Sequence, residues 1–188
     1  RFVWAQWWDD ETIGARIEVF SNEMLTDRFK KIAPIADVIV KTVPIHNWFV
    51  VYPNYEYADA KQSKVVIVFA QFEKGGFVSG GACDDDDDEA VFRAFAEILR
   101  HALAANLVFQ GKTPITFYER RLAYFARSKG DHFVLARLAR STSGRIALPN
   151  LLIDHQIQHS HSDLVIVHRC VFENQPLFIG GNLERLCL

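Results

Sequence analysis

Hydrophobic and polar positions alternate along the chain in two rhythms. Val65–Phe72 is an almost unbroken apolar run rich in β-branched and aromatic residues, which predicts a strand. Val38–Val43, Phe49–Tyr52 and Leu164–Val171 predict further strands on the same ground, and Ile13–Phe20 reads as extended. The helical rhythm is clearest after Glu89. Ala90, Ala94, Phe95, Ile98, Leu99, Ala102, Leu103 and Leu107 fall on one broad face, and Glu89, Arg93, Glu97 and Arg100 line up on the other. Ser21 predicts the cap of a short helix running to about Ile35, and Thr113 or Thr116 the start of another that ends before Gly130. Phe133–Ala139 and Ile146–Ile153 are open between helix and strand.

Glycines punctuate this pattern. Gly75-Gly76 and Ser79-Gly80-Gly81 predict a backbone that turns tightly or approaches something closely. Pro53–Ser63 predicts a loop on a sheet rim. The chain opens on Arg1-Phe2-Val3-Trp4-Ala5-Gln6-Trp7-Trp8, the pattern of an apolar helix entered midway. Three tryptophans in eight residues need a partner surface, and residues upstream are expected to supply part of it. We therefore expect an N-terminally incomplete domain. The loose alternation of strands and helices predicts an α/β (α+β) fold, a mixed β-sheet flanked by helices, with 1–188 forming one unit.

Composition narrows the class of function. Of 188 residues 49% are hydrophobic, enough for one sizeable core. Lys and Arg number 21 against 23 Asp and Glu, a net charge of -2 with no broad basic field for nucleic acid. A local cationic stretch runs from Arg120 to Arg145. No apolar stretch approaches the roughly 20 residues that span a bilayer, so no membrane partner is expected. Cys83, Cys170 and Cys187 form no C-x-x-C pair, which predicts reduced thiols and a cytoplasmic protein.

Candidate chemistry concentrates between Phe77 and Arg100. A glycine-rich turn before a helix N-terminus suits a phosphate, because unpaired N–H groups point outward there. The pattern matches neither common phosphate-loop motif. Five consecutive aspartates, Asp84–Asp88, would repel a phosphate without Mg²⁺ between, and the simpler reading is a solvated acidic loop. Glu97 with Arg100 reads either as a surface ion pair or as a Mg²⁺ carboxylate beside a phosphate-binding guanidinium. Cys83 reads as a small buried thiol. His155, His159 and His161 lack the spacing of a zinc helix, and no Ser sits in a nucleophile elbow.

Several segments, in order, resemble the YcaO family. Arg1–Trp8 resembles its apolar helix after a glutamate-rich motif. Phe77-Val78-Ser79-Gly80-Gly81-Ala82-Cys83-Asp84, followed by Glu89–Glu97, resembles its small-residue turn and the "A-L-x-R-A-L-x-E" helix. Tyr118–Phe125 resembles a later helix, and Val165–Val171 with Pro176–Gly181 the closing strand and loop. The resemblance implies the C-terminal half of an ATP-dependent cyclodehydratase that forms thiazoline or oxazoline rings in a ribosomal peptide. It implies ATP and Mg²⁺ as cofactors, with Glu97 holding the metal against the nucleotide, and Arg93, Arg100 and Gly80 near the phosphates. A peptide substrate and a partner subunit or homo-oligomer are implied as well. Thioamide and amidine formation share the ATP step. Many members carry Gln where this chain has Arg100, and the Pro-rich terminus of many azoline-forming members is replaced by Leu183–Leu188. A non-catalytic YcaO-like scaffold is the alternative.

Overall fold

A computed structural model describes residues 2–56, 64–114, 116–147, 151–157 and 167–172. In chain order the elements are α1 (Phe2–Asp9), β1 (Ala15–Phe20), α2 (Asn22–Arg28), a 3₁₀ turn (Lys30–Ile32), α3 (Ala33–Thr42), β2 (Ile45–Pro53), β3 (Tyr55–Glu56), β4 (Lys64–Phe72) and β5 (Phe77–Asp84). There follow α4 (Asp87–Phe109), α5 (Phe117–Ala126), α6 (Asp131–Leu138), β6 (Ile146–Ala147), β7 (Leu151–Ile157) and β8 (Val167–Phe172). Among the described residues the fold is mixed α+β: six helices and a four-stranded sheet ordered β1-β2-β4-β5. Every pairing in that sheet is antiparallel, whereas the short β3–β6 pair is parallel. Strands β7 and β8 form an antiparallel pair of their own. Among the described residues no helix is long and apolar enough to cross a membrane.

The unbroken apolar run of β4 has a direct consequence. Side chains alternate across a strand, so a run without polar interruption must be buried on both faces. Val66, Val68, Ala70 and Phe72 join one core with Trp48 of β2, Ile39 of α3 and Phe95 and Ile98 of α4. Ile67 and Phe69 join a second core on the opposite face with Trp4 and Trp7 of α1, Phe125 of α5 and Val134 of α6. Trp7 is fully buried and Trp4 nearly so. The chain's own sheet thus supplies a partner surface for both rings, and Trp8 packs partly buried against the same core.

One predicted element takes another form. Val38–Val43 belongs to helix α3 and the turn after it, not to a strand. Ile32, Ala36, Ile39 and Val43 are all buried at helical spacing, and Val38 stays exposed. Pro34 in the first turn fits a helix start. Burial of one helical face outweighs the strand propensity of isolated β-branched residues. Of the two expectations for Ser79-Gly80-Gly81, a tight turn or a close approach, the strand β5 realises the close approach. The turn is Glu73–Gly76, where Gly75 and Gly76 have φ of 82° and 96°. Phe133–Ala139 resolves as α6 with its last residue just beyond, and Ile146–Ile153 as strand at its described positions. Thr116 caps α5 in a complete capping box with Glu119.

Candidate functional site

Helix α4 packs over β5, which ends the sheet among the described residues. A Cβ at Gly80 would stand 2.9 Å from Ile98 Cγ1 and would run into the Ala94 carbonyl, so glycine here lets helix and strand backbones approach. Gly81 serves the other face, where a Cβ would be 2.6 Å from the Trp4 ring. Glycine is thus required by packing on both sides of one edge strand.

The edge itself is closed by side chains of α4. Glu97 Oε2 accepts the Gly81 N–H at 2.8 Å. His101 Nδ1 lies 2.5 Å from the Ser79 carbonyl oxygen, a contact that requires the proton on Nδ1. Four residues of helix advance about 6 Å, close to the span of two strand residues. Glu97 and His101 on the helix therefore match Gly81 and Ser79 on the strand. His101 stands four residues after Glu97 at the border of the apolar face, and that spacing is the signal its sequence carries.

Arg93, Glu97 and Arg100 follow one another along this helix. Glu97 Oε1 accepts from Arg100 Nη2 at 3.3 Å, and its side chain keeps 16% of its exposure against 67% for Arg100. Arg93 pairs with Asp84 at 3.0 Å and with Glu89 at 3.2 Å. Gly80 is buried beneath the helix a short step away. The structure thus groups the four candidate residues at the junction of α4 and β5, with Glu97 anchored and the two arginines on the outer face.

The acidic run is a helix start. Asp86 caps α4 by accepting from the Glu89 N–H at 2.9 Å, and Asp87, Asp88 and Glu89 occupy the first turn, where the helix dipole favours them. Asp87 pairs with Lys64 at 3.0 Å, Asp88 lies 4.0 Å from Arg28, and Glu89 lies 3.7 Å from Lys31. Among the described residues no group of three or more His, Cys, Asp or Glu side chains converges as a metal site. Cys83, expected buried, is exposed on the edge strand. A pocket of 160 Å³ adjoins it, lined by Trp4, Val65 and Gly81 among others. His155 lies on β7, while His159 and His161 fall outside the described residues, as do 164–166 of the predicted last strand.

Tyr52, Asp10 and Arg137, all outside this junction, have shifted pKa values. Burial, aided by Glu18 and Asp87, raises Tyr52 to about 12. Hydrogen bonds from Thr12 lower Asp10. Burial lowers Arg137 to about 10. Comparison with protein-family models, with curated proteins and with solved structures gives no match to this chain.

Proposed function

We propose that the chain is part of a YcaO-type, ATP-dependent peptide cyclodehydratase of the cytoplasm, with its nucleotide site at the junction of α4 and β5. The observation that carries this reading is the anchoring of Glu97. Its carboxylate is held at the edge of β5 by the Gly81 N–H, with cationic Arg93 and Arg100 a turn away on either side. A fixed carboxylate suits Mg²⁺, and guanidinium groups suit phosphate oxygens. Mg²⁺-ATP, when bound, supplies the phosphoryl group that makes a peptide oxygen a leaving group. Glu97 would hold the metal, and Arg93 and Arg100 would exchange their carboxylate partners for phosphate. A peptide side chain of Cys, Ser or Thr would add to the preceding carbonyl, and the phosphoryl group would pass to the resulting oxyanion with release of ADP. Loss of phosphate and of the amide proton would leave the azoline.

A second reading, a non-catalytic scaffold that works with a partner subunit, is favoured by one observation. Arg93, Arg100 and Glu97 already satisfy one another and the acidic run within the chain. Calorimetry of Mg²⁺-ATP on the full-length protein separates the two. Glu97→Gln keeps an oxygen for the Gly81 N–H and removes the charge. Saturable Mg²⁺-dependent binding that Glu97→Gln abolishes, with the melting temperature little changed, supports the enzyme. A folded wild type that binds no nucleotide even with its partners present leaves the scaffold.

A further inference from the structure

Strand β1 ends the sheet on the side away from β5, and strands β7 and β8 pair with one another rather than with it. Among the described residues no strand lies outside β1. The β1–β2 ladder fixes which way its backbone groups point. Asn54 donates to the Gly14 carbonyl at 2.9 Å, so Gly14 turns that carbonyl toward β2. Backbone groups alternate sides along a strand, so Arg16, Glu18 and Phe20 face β2 as well. Pro53, which has no N–H to give, stands opposite Ala15, where none is called for. Ala15, Ile17 and Val19 consequently direct their N–H and C=O groups outward, along the open edge.

The side chains of this strand divide by face. Ala15 and Ile17 pack partly buried on the second core, and Val19 beyond them is 52% exposed. Arg16 and Glu18 lie on the opposite face, 3.5 Å apart, with the Arg16 guanidinium 4.0 Å from the centre of the Tyr52 ring. One short strand thus carries an open ladder, an apolar row and two opposite charges two positions apart.

Such an edge is complementary to itself. Outward groups must meet outward groups, so an antiparallel pairing of two copies has to be centred on a residue. Centring on Arg16 sets arginine against arginine, and centring on Glu18 sets glutamate against glutamate, both unfavourable. Centring on Ile17 sets Ala15 opposite Val19, Ile17 opposite its own counterpart, and Arg16 opposite Glu18 of the partner copy. That register uses every outward group of the strand. It also places the opposite charges in non-hydrogen-bonded pairs, where side chains come closest.

We propose that two copies of this chain join edge to edge through β1, antiparallel and centred on Ile17, so that their sheets become one. Charged residues often guard a sheet edge against pairing. Here the alternation of sign makes the guard selective: it rejects the neighbouring registers and admits one. The contact is two-fold and closed, so it stops at a dimer. The junctions of α4 and β5 stay at the two far edges of the joined sheet, and the inference does not depend on the nucleotide reading.

Sedimentation equilibrium of the full-length protein measures the association, and amide hydrogen exchange locates it. A dimer with a dissociation constant of about 0.1 mM or tighter is expected in samples up to about 0.5 mM. On dilution through that constant the amides of Ala15, Ile17 and Val19 lose protection, whereas those of Arg16 and Glu18, which face β2, keep theirs. Arg16→Glu alone and Glu18→Arg alone each weaken the dimer at least about tenfold, because the two-fold axis repeats every like-charge pair. Mixing these two variants restores a dimer, now with one chain of each kind. The proposal is overturned if the wild type stays monomeric at the highest concentration, or if it dimerises while the Ala15, Ile17 and Val19 amides stay unprotected. It is overturned equally if either single variant dimerises as tightly as wild type, or if the two variants fail to associate when mixed.

Discussion

Arg137 sits 5% exposed and donates to three carbonyls at the end of α1: Trp7 at 2.7 Å, Asp10 at 3.3 Å and Ile13 at 2.6 Å. Its guanidinium also lies 4.3 Å from the Trp7 ring centroid. Burial accounts for its lowered pKa, and the carbonyls compensate the lost hydration. Arg137→Met keeps the length of the side chain and strands two buried acceptors and one part-buried one. It is expected to cost about 3 kcal/mol in urea unfolding. In the sequence Arg137 was one more member of the cationic stretch from Arg120 to Arg145. Its partners lie more than 120 residues away, so nothing local marked it as internal. Tyr52 gives a prediction with a definite sign. Its pKa is near 10.0 in the unfolded chain and about 12 when folded, raised chiefly by burial. The native state therefore keeps a proton that the unfolded chain releases. The stabilisation is whole below pH 10 and is lost as pH rises through about 12. Tyr52→Phe is expected to flatten the fall in stability across that window, as measured by urea midpoints at successive pH values.

At the scale of elements, legibility depended on whether the signal was local. Thr116 and Glu119 form a capping box within four residues, and the start of α5 could be read from them. Removing it by Thr116→Ala is expected to cost about 1 kcal/mol. The long amphipathic α4 was legible from its period, although Leu103 and Leu107, expected on its buried face, are 48% and 43% exposed. The small residues of β5 left two readings open for a physical reason. Glycine serves a tight turn and a close approach alike, and here the smallness of Gly80 and Gly81 serves α4 on one face and Trp4 on the other. Gly80→Ala tests that account. The added methyl must displace α4, and overpacking of this kind costs about 1–3 kcal/mol. The same change distinguishes packing from ligand contact: a loss of stability with unchanged Mg²⁺-ATP affinity per folded molecule assigns Gly80 to the interface alone. The candidate site was legible as a set of residues on one helix, but its partners on β5 were not, because the match of helix rise to strand rise appears only once the two elements lie side by side.

At the scale of the molecule, two cores share one sheet. Val66, Val68 and Ala70 of β4 face the first core, and Ile67 and Phe69 face the second. Neither core can lose its strand without exposing the other, so the two should unfold together rather than in turn. The tryptophans divide between them: Trp48 packs against Phe95 at 4.8 Å in the first, and Trp4 and Trp7 lie in the second. Fluorine NMR of protein labelled with fluorotryptophan, its signals assigned by single Trp→Phe changes, follows both cores in one urea titration. The native signals of Trp48 and of Trp7 are expected to vanish with midpoints that agree within about 0.3 M. At a urea dependence of about 2 kcal/mol per M, that spacing corresponds to roughly 0.6 kcal/mol. A gap of about 1 M or more would show that one layer of helices leaves the sheet while the other still holds it. In that case the alternation of β4 would be insufficient to couple its two faces. Coincident midpoints would make the central strand the element through which a defect at Trp7 is felt at Glu97, on the far layer of the fold.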